Sequence, residues 1–381
     1  MSRCAVPSIA VIAFGLCVGC GEDERLLRTE PQSDASIGFD DAAHDELVAA
    51  GADKYLGKFH PSKVTPYSTF DAYEFEPRDD GPTCIYGSPF RVSVRDVGSK
   101  DVLIYLQGGG ACWSDICAAN EDASLGVMPI AWTDADPERN PPLAGFNVVF
   151  VAYCDGSVFS GDNVIHAADG SVERRHRGLA NLSAALDVAR SLYPAPRRIV
   201  LAGSSAGGYG TIVGTIVTRL AYPHTPLFVM DDAGPGVTNP NDPSLLNGAK
   251  NEWRALDIVP KSCQGCVESG QFTTVIDWSL THDPSLQVAS FSALEDAIIG
   301  NVFLGMKGPE FGKVLLAETG KVHAHHPDRY QRYFWPGGAH TAVLAGYYDL
   351  EIEGTSLIDF VQAMLVGSPV WRDLVDTAPA E

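Results

Sequence analysis

Positive charge is in short supply. Lys and Arg number 27 against 48 Asp and Glu, a formal net charge of −21 at pH 7. Nucleic acid and anionic membrane surfaces are therefore disfavoured as partners, because both would be repelled. Past residue 20 no apolar run reaches the length that spans a bilayer. Internal repeats are lacking, as is low-complexity sequence outside a polar stretch near the N-terminus. No second Cys-x-x-Cys accompanies Cys263-Gln264-Gly265-Cys266, so a four-cysteine zinc site cannot be assembled. Redox motifs of that spacing normally open a helix after a strand, which does not fit here. What the 381 residues do have is 45 % hydrophobic and 20 % charged side chains, the make-up of a core-forming globular chain. One large α/β domain is the economical expectation.

The first residues read as an export signal. Arg3 precedes the apolar run 5–18, which ends in small residues and a cysteine. Leu16-Cys17-Val18-Gly19-Cys20 resembles a bacterial lipoprotein signal, with Cys20 as the residue to be lipidated; ordinary secretion with cleavage nearby is the alternative. The expected layout is a signal peptide at 1–19, a flexible acidic tether at 20–45 and a single catalytic domain at 46–381. On this reading the protein is exported, and touches a membrane only through Cys20. Setting aside Cys4, Cys17 and Cys20 leaves Cys84, Cys112, Cys117, Cys154, Cys263 and Cys266. An even number in an exported chain favours disulfides, although six cysteines allow fifteen pairings. Cys112/Cys117 and Cys263/Cys266 are near enough to close small loops, which leaves Cys84 for Cys154.

Residues 102–106 (VLIYL) and 148–152 (VVFVA) are continuous apolar runs cut off by glycine-containing segments, as suits buried parallel strands. Leu179, Leu182, Leu186 and Ala189 recur at helical intervals until Pro194 and Pro196. Further strands are expected at 199–202, 227–230 and 286–291. Residues 207–220 should form a helix with Ile212, Val213, Ile216, Val217 and Leu220 on one face. This alternation predicts an α/β fold with a doubly wound, mostly parallel sheet and helices on both faces.

Gly203-Ser204-Ser205-Ala206-Gly207 matches G-x-S-x-G between the strand 199–202 and the following helix. That context is the nucleophile elbow of an α/β-hydrolase-like fold, where small neighbours leave room for a strained serine. The oxyanion hole would draw on the Ala206 N–H and on Gly109 and Gly110 in the loop Gln107-Gly108-Gly109-Gly110-Ala111. That loop lacks the lysine and hydroxyl residue of a phosphate-binding loop. Acid and then histidine should follow the serine in the chain. Of ten histidines, His340 lies in a flexible turn near the domain's end. His323, His325 and His326 cluster without an acidic ligand pattern and read as solvated surface. Asp296 and Glu295 are the acid candidates, with Asp232 as the fallback; Asp232 could equally be a buried structural carboxylate.

The chain resembles the pectin acetylesterase and Notum carboxylesterase family. The resemblance is carried by LIYLQGGGACW (103–113), YCDGSVFSGD (153–162), LAGSSAGG (201–208), DDAGP (231–235) and GTSL (354–357). It implies Ser205 as nucleophile, Asp296 and His340 as acid and base, and Gly109, Gly110 and Ala206 as oxyanion donors. It also supports the disulfides Cys84/Cys154 and Cys112/Cys117. The expected activity is cofactor-free hydrolysis of O-acyl esters, foremost O-acetyl groups on a polysaccharide such as pectin. A longer-chain lipid or protein deacylase of the Notum kind is the alternative. A surface binding protein with a dead site is a further alternative, against which the retained serine, histidine, acid and glycine loop count.

Overall fold

In the computed structural model, residues 37–378 are described; the signal segment and Cys20 lie outside them. Ten strands form one sheet: β1 (Lys63–Pro66), β2 (Asp71–Phe75), β3 (Phe90–Arg95), β4 (Asp101–Leu106), β5 (Asn147–Val151), β6 (Arg198–Ser204), β7 (Leu227–Asp232), β8 (Gln287–Ala293), β9 (Tyr330–Trp335) and β10 (Leu374–Val375). Their spatial order is β1-β2-β3-β5-β4-β6-β7-β8-β9-β10. From β5 to β10 every neighbouring pair is parallel, while β1, β2 and β3 add an antiparallel edge. All five anticipated strands are present, and the α/β class with a mostly parallel sheet is observed.

Both faces of the central strands are buried, which is why they read as unbroken apolar runs. Val102, Ile104 and Leu106 of β4 enter one core cluster, and Leu103 and Tyr105 the other, as the two-residue period of a strand requires. The first cluster takes in α2 (Gly178–Leu192), α3 (Ala206–Ala221), α4 (Thr273–His282) and α5 (Gly308–His325). The second takes in α6 (Leu357–Val366) through Phe360, Val361 and Met364.

Two expectations change. The tether anticipated up to residue 45 overlaps a helix, α1 (Asp41–Ala49), capped by Asp40, whose side chain accepts the Ala43 N–H at 2.9 Å. The same carboxylate meets His282 at the end of α4, 2.7 Å away. The histidine cluster is not wholly solvated either. His325 and His326 both contact Asp277 of α4, at 3.1 and 3.0 Å, and His326 is buried. The carboxylate they share comes from a different helix, not from the adjacent Asp328.

Among the described residues the disulfides are Cys84–Cys154, Cys112–Cys117 and Cys263–Cys266, the pairings expected. The first joins positions 70 residues apart and anchors the segment before β3 to the exit of β5. Loop-closure entropy makes it the strongest of the three. Cys84→Ser should cost about 4 kcal/mol and Cys263→Ser only about 2 kcal/mol, read as shifts in the urea midpoint; equal shifts would refute that ranking.

Candidate active site

β6 ends at Ser204 and α3 starts at Ala206, so the chain turns on Ser205 alone. Ser205 adopts φ 58° and ψ −118°, a conformation that L-residues occupy only under strain. The neighbouring glycines explain how it is tolerated. A Cβ on Gly203 would lie 2.2 Å from the Gly207 carbonyl oxygen, and one on Gly207 would lie 2.0 Å from that of Leu106. Ser205 is half-buried, and Ala206 supplies the first N–H of α3, one of the amides that no helical carbonyl satisfies.

Asp296 follows β8 and is fully buried. Its Oδ1 accepts the N–H groups of Ile298 and Ile299, both at 2.9 Å, capping the helical turn Ala297–Phe303. That leaves Oδ2 for His340 Nδ1, 2.8 Å away. Since a carboxylate only accepts, Nδ1 carries the proton and Nε2 is left as the basic nitrogen. The loops after β8 and β9 are laced together by Glu295 N–H to Gly337 O (2.9 Å) and Ala297 N–H to Gly338 O (3.2 Å), which carries the histidine turn over the acid. Glu295 is exposed and packs towards Gly308; it does not pair with His340.

No hydrogen bond joins Ser205 Oγ to His340 among the described residues. The two turns are tied to each other through Asp232 at the end of β7. Its main-chain oxygen accepts the Ser205 N–H at 2.7 Å, and its Oδ1 accepts the N–H of Ala342, two residues past His340, at 2.8 Å. Oδ2 accepts from Ser204 Oγ (2.6 Å) and Trp132 Nε1 (2.9 Å). Burial raises the Asp232 carboxyl above the usual carboxylate range, opposed by these hydrogen bonds. Ser204 and Trp132 carried no signal of this role in the sequence.

The glycine loop after β4 packs against the serine turn. A Cβ on Gly108 would fall 2.6 Å from the Ser204 carbonyl oxygen. Gly110 opens a hairpin closed by Cys112–Cys117, and its φ of +80° leaves no room for a side chain, since a Cβ would meet the Ala118 carbonyl at 1.8 Å. Gly110, Ser205 and Ala206 line one cavity of about 70 Å³, whereas Gly109 packs on Asn120 outside it.

The cavity runs from Ser205 along α3 past Tyr209, Ile212 and Val213 to Ile216. Eleven residues of α-helix correspond to roughly 16 Å. Trp113, Trp253, Phe272 and Val275 contribute to the facing walls. Apart from Ser205, the hydroxyls on the lining are engaged elsewhere: Ser160 donates to the Ser157 carbonyl and Tyr209 to that of Val237, each at 2.7 Å. No charged side chain lines the cavity among the described residues.

Comparison with known proteins places the chain near two kinds of carboxylic ester hydrolase. The family model described as PAE, Pectinacetylesterase, matches residues 75–240. The chain is 30 % identical over 212 residues to palmitoleoyl-protein carboxylesterase notum1' of Xenopus laevis, covering 49 % of this chain and 40 % of that protein. It is 34 % identical over 128 residues to pectin acetylesterase 4 of Arabidopsis thaliana, covering 30 % of this chain and 31 % of that one. Against palmitoleoyl-protein carboxylesterase NOTUM of Homo sapiens it is 28 % identical over 173 residues, covering 40 % of this chain and 34 % of the human protein. The chain thus spans two fifths or less of the length of these relatives, and its match to the pectin acetylesterase and Notum group is at the family level. The family model takes in the glycine loop, Ser205 and Asp232, and stops short of Asp296 and His340.

The crowding at the turn yields a prediction. Gly203→Ala should destabilise the fold by about 1–3 kcal/mol through overpacking against Gly207, seen as a lowered thermal midpoint; an unchanged midpoint would mean the turn is looser than described.

Proposed function

We propose that this protein is an exported serine carboxylesterase acting on O-acyl esters whose acyl group is a medium or long hydrocarbon chain. The observation that carries this reading is the apolar cavity that Ser205 lines together with Tyr209, Ile212, Val213 and Ile216 of α3. Each methylene of a bound chain moved from water into such walls contributes about 0.8 kcal/mol. An acetyl group would reach only the Ser205 end of this lining.

His340 Nε2 takes the Ser205 proton as Oγ attacks the ester carbonyl, and returns it to the departing alcohol. Asp296 keeps Nδ1 protonated and stabilises the imidazolium. The N–H groups of Ala206 and of Gly109 or Gly110 receive the developing oxyanion, helped by the N-terminal dipole of α3. Water then releases the acid by the same steps in reverse. Export is supported by the N-terminal pattern around Cys20 and by three disulfides, which persist in oxidising compartments.

The family-model match and the likeness to a pectin acetylesterase favour a second reading, removal of acetyl groups from a polysaccharide. Pectin is rich in uronate, so a protein of net charge −21 would meet it against electrostatic repulsion. A neutral acetylated glycan escapes that objection.

A p-nitrophenyl ester series from acetate to palmitate separates the two. For the first reading, kcat/KM peaks at octanoate or longer, and Ser205→Ala lowers it on the order of a thousandfold or more. Ile216→Trp, which fills the cavity three turns from the serine, should depress octanoate turnover while sparing acetate. A peak at acetate would transfer the assignment to the polysaccharide reading, to be pursued on acetylated pectin and xylan. No ester hydrolysis at all would reject both.

A further inference from the structure

The end of β7 holds a carboxylate that the proposed chemistry does not use directly. Asp232 is 1 % exposed, yet three donors from separate parts of the chain converge on its side chain: Ser204 Oγ, Trp132 Nε1 and the Ala342 N–H. A fourth contact is upstream, where Tyr105 on β4 donates its hydroxyl to Ser204 Oγ at 3.0 Å. With that hydroxyl donating, the Ser204 proton is free to point at Asp232, so the chain of bonds runs in one direction and ends on the carboxylate. The main chain of the same residue holds the Ser205 N–H. One residue therefore grips the serine turn by its backbone and the histidine turn by its side chain.

We propose that Asp232 is a positioning residue for the esterase reaction: it sets the separation of Ser205 and His340, and its charge favours the imidazolium formed during proton transfer. This inference rests on the esterase reading above. Asp296 fixes the imidazole's orientation by direct contact, but nothing in the Asp296–His340 pair relates that ring to Ser205. The relation passes through Asp232, which joins the two turns across three bonds of 2.6–2.8 Å. Asn cannot replace it, because an amide offers one acceptor oxygen where Ser204, Trp132 and Ala342 all donate, and its NH2 group would face a donor. The ionisable groups facing Asp232 are His340, Tyr105, Tyr347 and its neighbour Asp231. Burial raises Asp231 and both tyrosines above their ordinary ranges, and His340 is the group that gains charge on taking the Ser205 proton.

The test uses the full chain and p-nitrophenyl octanoate from pH 5 to 9, with wild type, Asp232→Asn, Ser204→Ala and Ser205→Ala in parallel. Asp232→Asn should lower kcat about a hundredfold, the scale of a small misplacement of reacting groups, with KM little changed. The acid limb of its kcat/KM profile should move to lower pH, because removing a neighbouring negative charge disfavours the imidazolium. Ser204→Ala keeps that charge while removing one bond, so kcat should fall by about tenfold with the limb unmoved. Should Asp232→Asn not fold, Ser204→Ala still decides, and wild-type kcat in that variant would overturn the proposal. So would an Asp232→Asn enzyme whose kcat falls with an unshifted acid limb, the pattern of a merely structural residue. A wild type inactive on the ester, or a Ser205→Ala variant as active as wild type, removes the esterase reading and this proposal with it.

Discussion

The structure depends on one tight reversal, the single residue that connects β6 to α3. A strained serine of this kind costs on the order of 1–3 kcal/mol and survives only where its surroundings overdetermine it. Here they do: Gly203 and Gly207 touch backbone on both sides, the Ser205 N–H is bonded to Asp232, and α3 is buried along nearly its whole length. The strain places a hydroxyl on the lining of an apolar cavity and the first free amide of a helix beside it. The loops after β4, β7, β8 and β9 then only have to reach the same end of the parallel strands, which a doubly wound sheet ensures.

The proposed acid and base arrive by the same logic. Asp296 spends one oxygen on the helical turn it caps and the other on His340, so its orientation is set before any substrate enters. Asp232 ties that assembly to the serine. Two buried carboxylates thus divide the work of holding one imidazole in place, by direct contact and by way of the backbone.

Much of this was legible in the sequence. The run 199–202 followed by Gly203-Ser204-Ser205-Ala206-Gly207 identifies the turn because a buried parallel strand and a glycine-flanked serine have few other uses together. His340 stands out among ten histidines by chain order and by the glycines before it. Other features were hidden for physical reasons. Strand β3 (FRVSVR) mixes polar residues into an antiparallel position, and β9 (YQRYFW) carries Arg332, whose charge is met by Asp373 from 41 residues away. Periodicity marked Ile212, Val213 and Ile216 as a core-facing stripe of α3, but it cannot tell a packed core from a cavity wall. Much of the facing wall comes from residues 245–275, with Trp113 and Phe303 added from elsewhere in the chain, and no local pattern connects these to Ser205. The overlap of α1 with the expected tether has a similar cause, since its helix is short and His282, which meets its cap Asp40, lies 242 positions away.

The central claim is that Ser205 is a nucleophile at the entrance of a hydrocarbon slot. It is tested most directly by reacting the protein with p-nitrophenyl alkylphosphonates of short and long chain and locating the adduct by peptide mass mapping. The account predicts one phosphonyl group per chain, on the peptide containing Ser205, gained faster from the long-chain reagent and absent from Ser205→Ala. An adduct on another residue, equal labelling of the variant, or faster reaction with the short-chain reagent would contradict it.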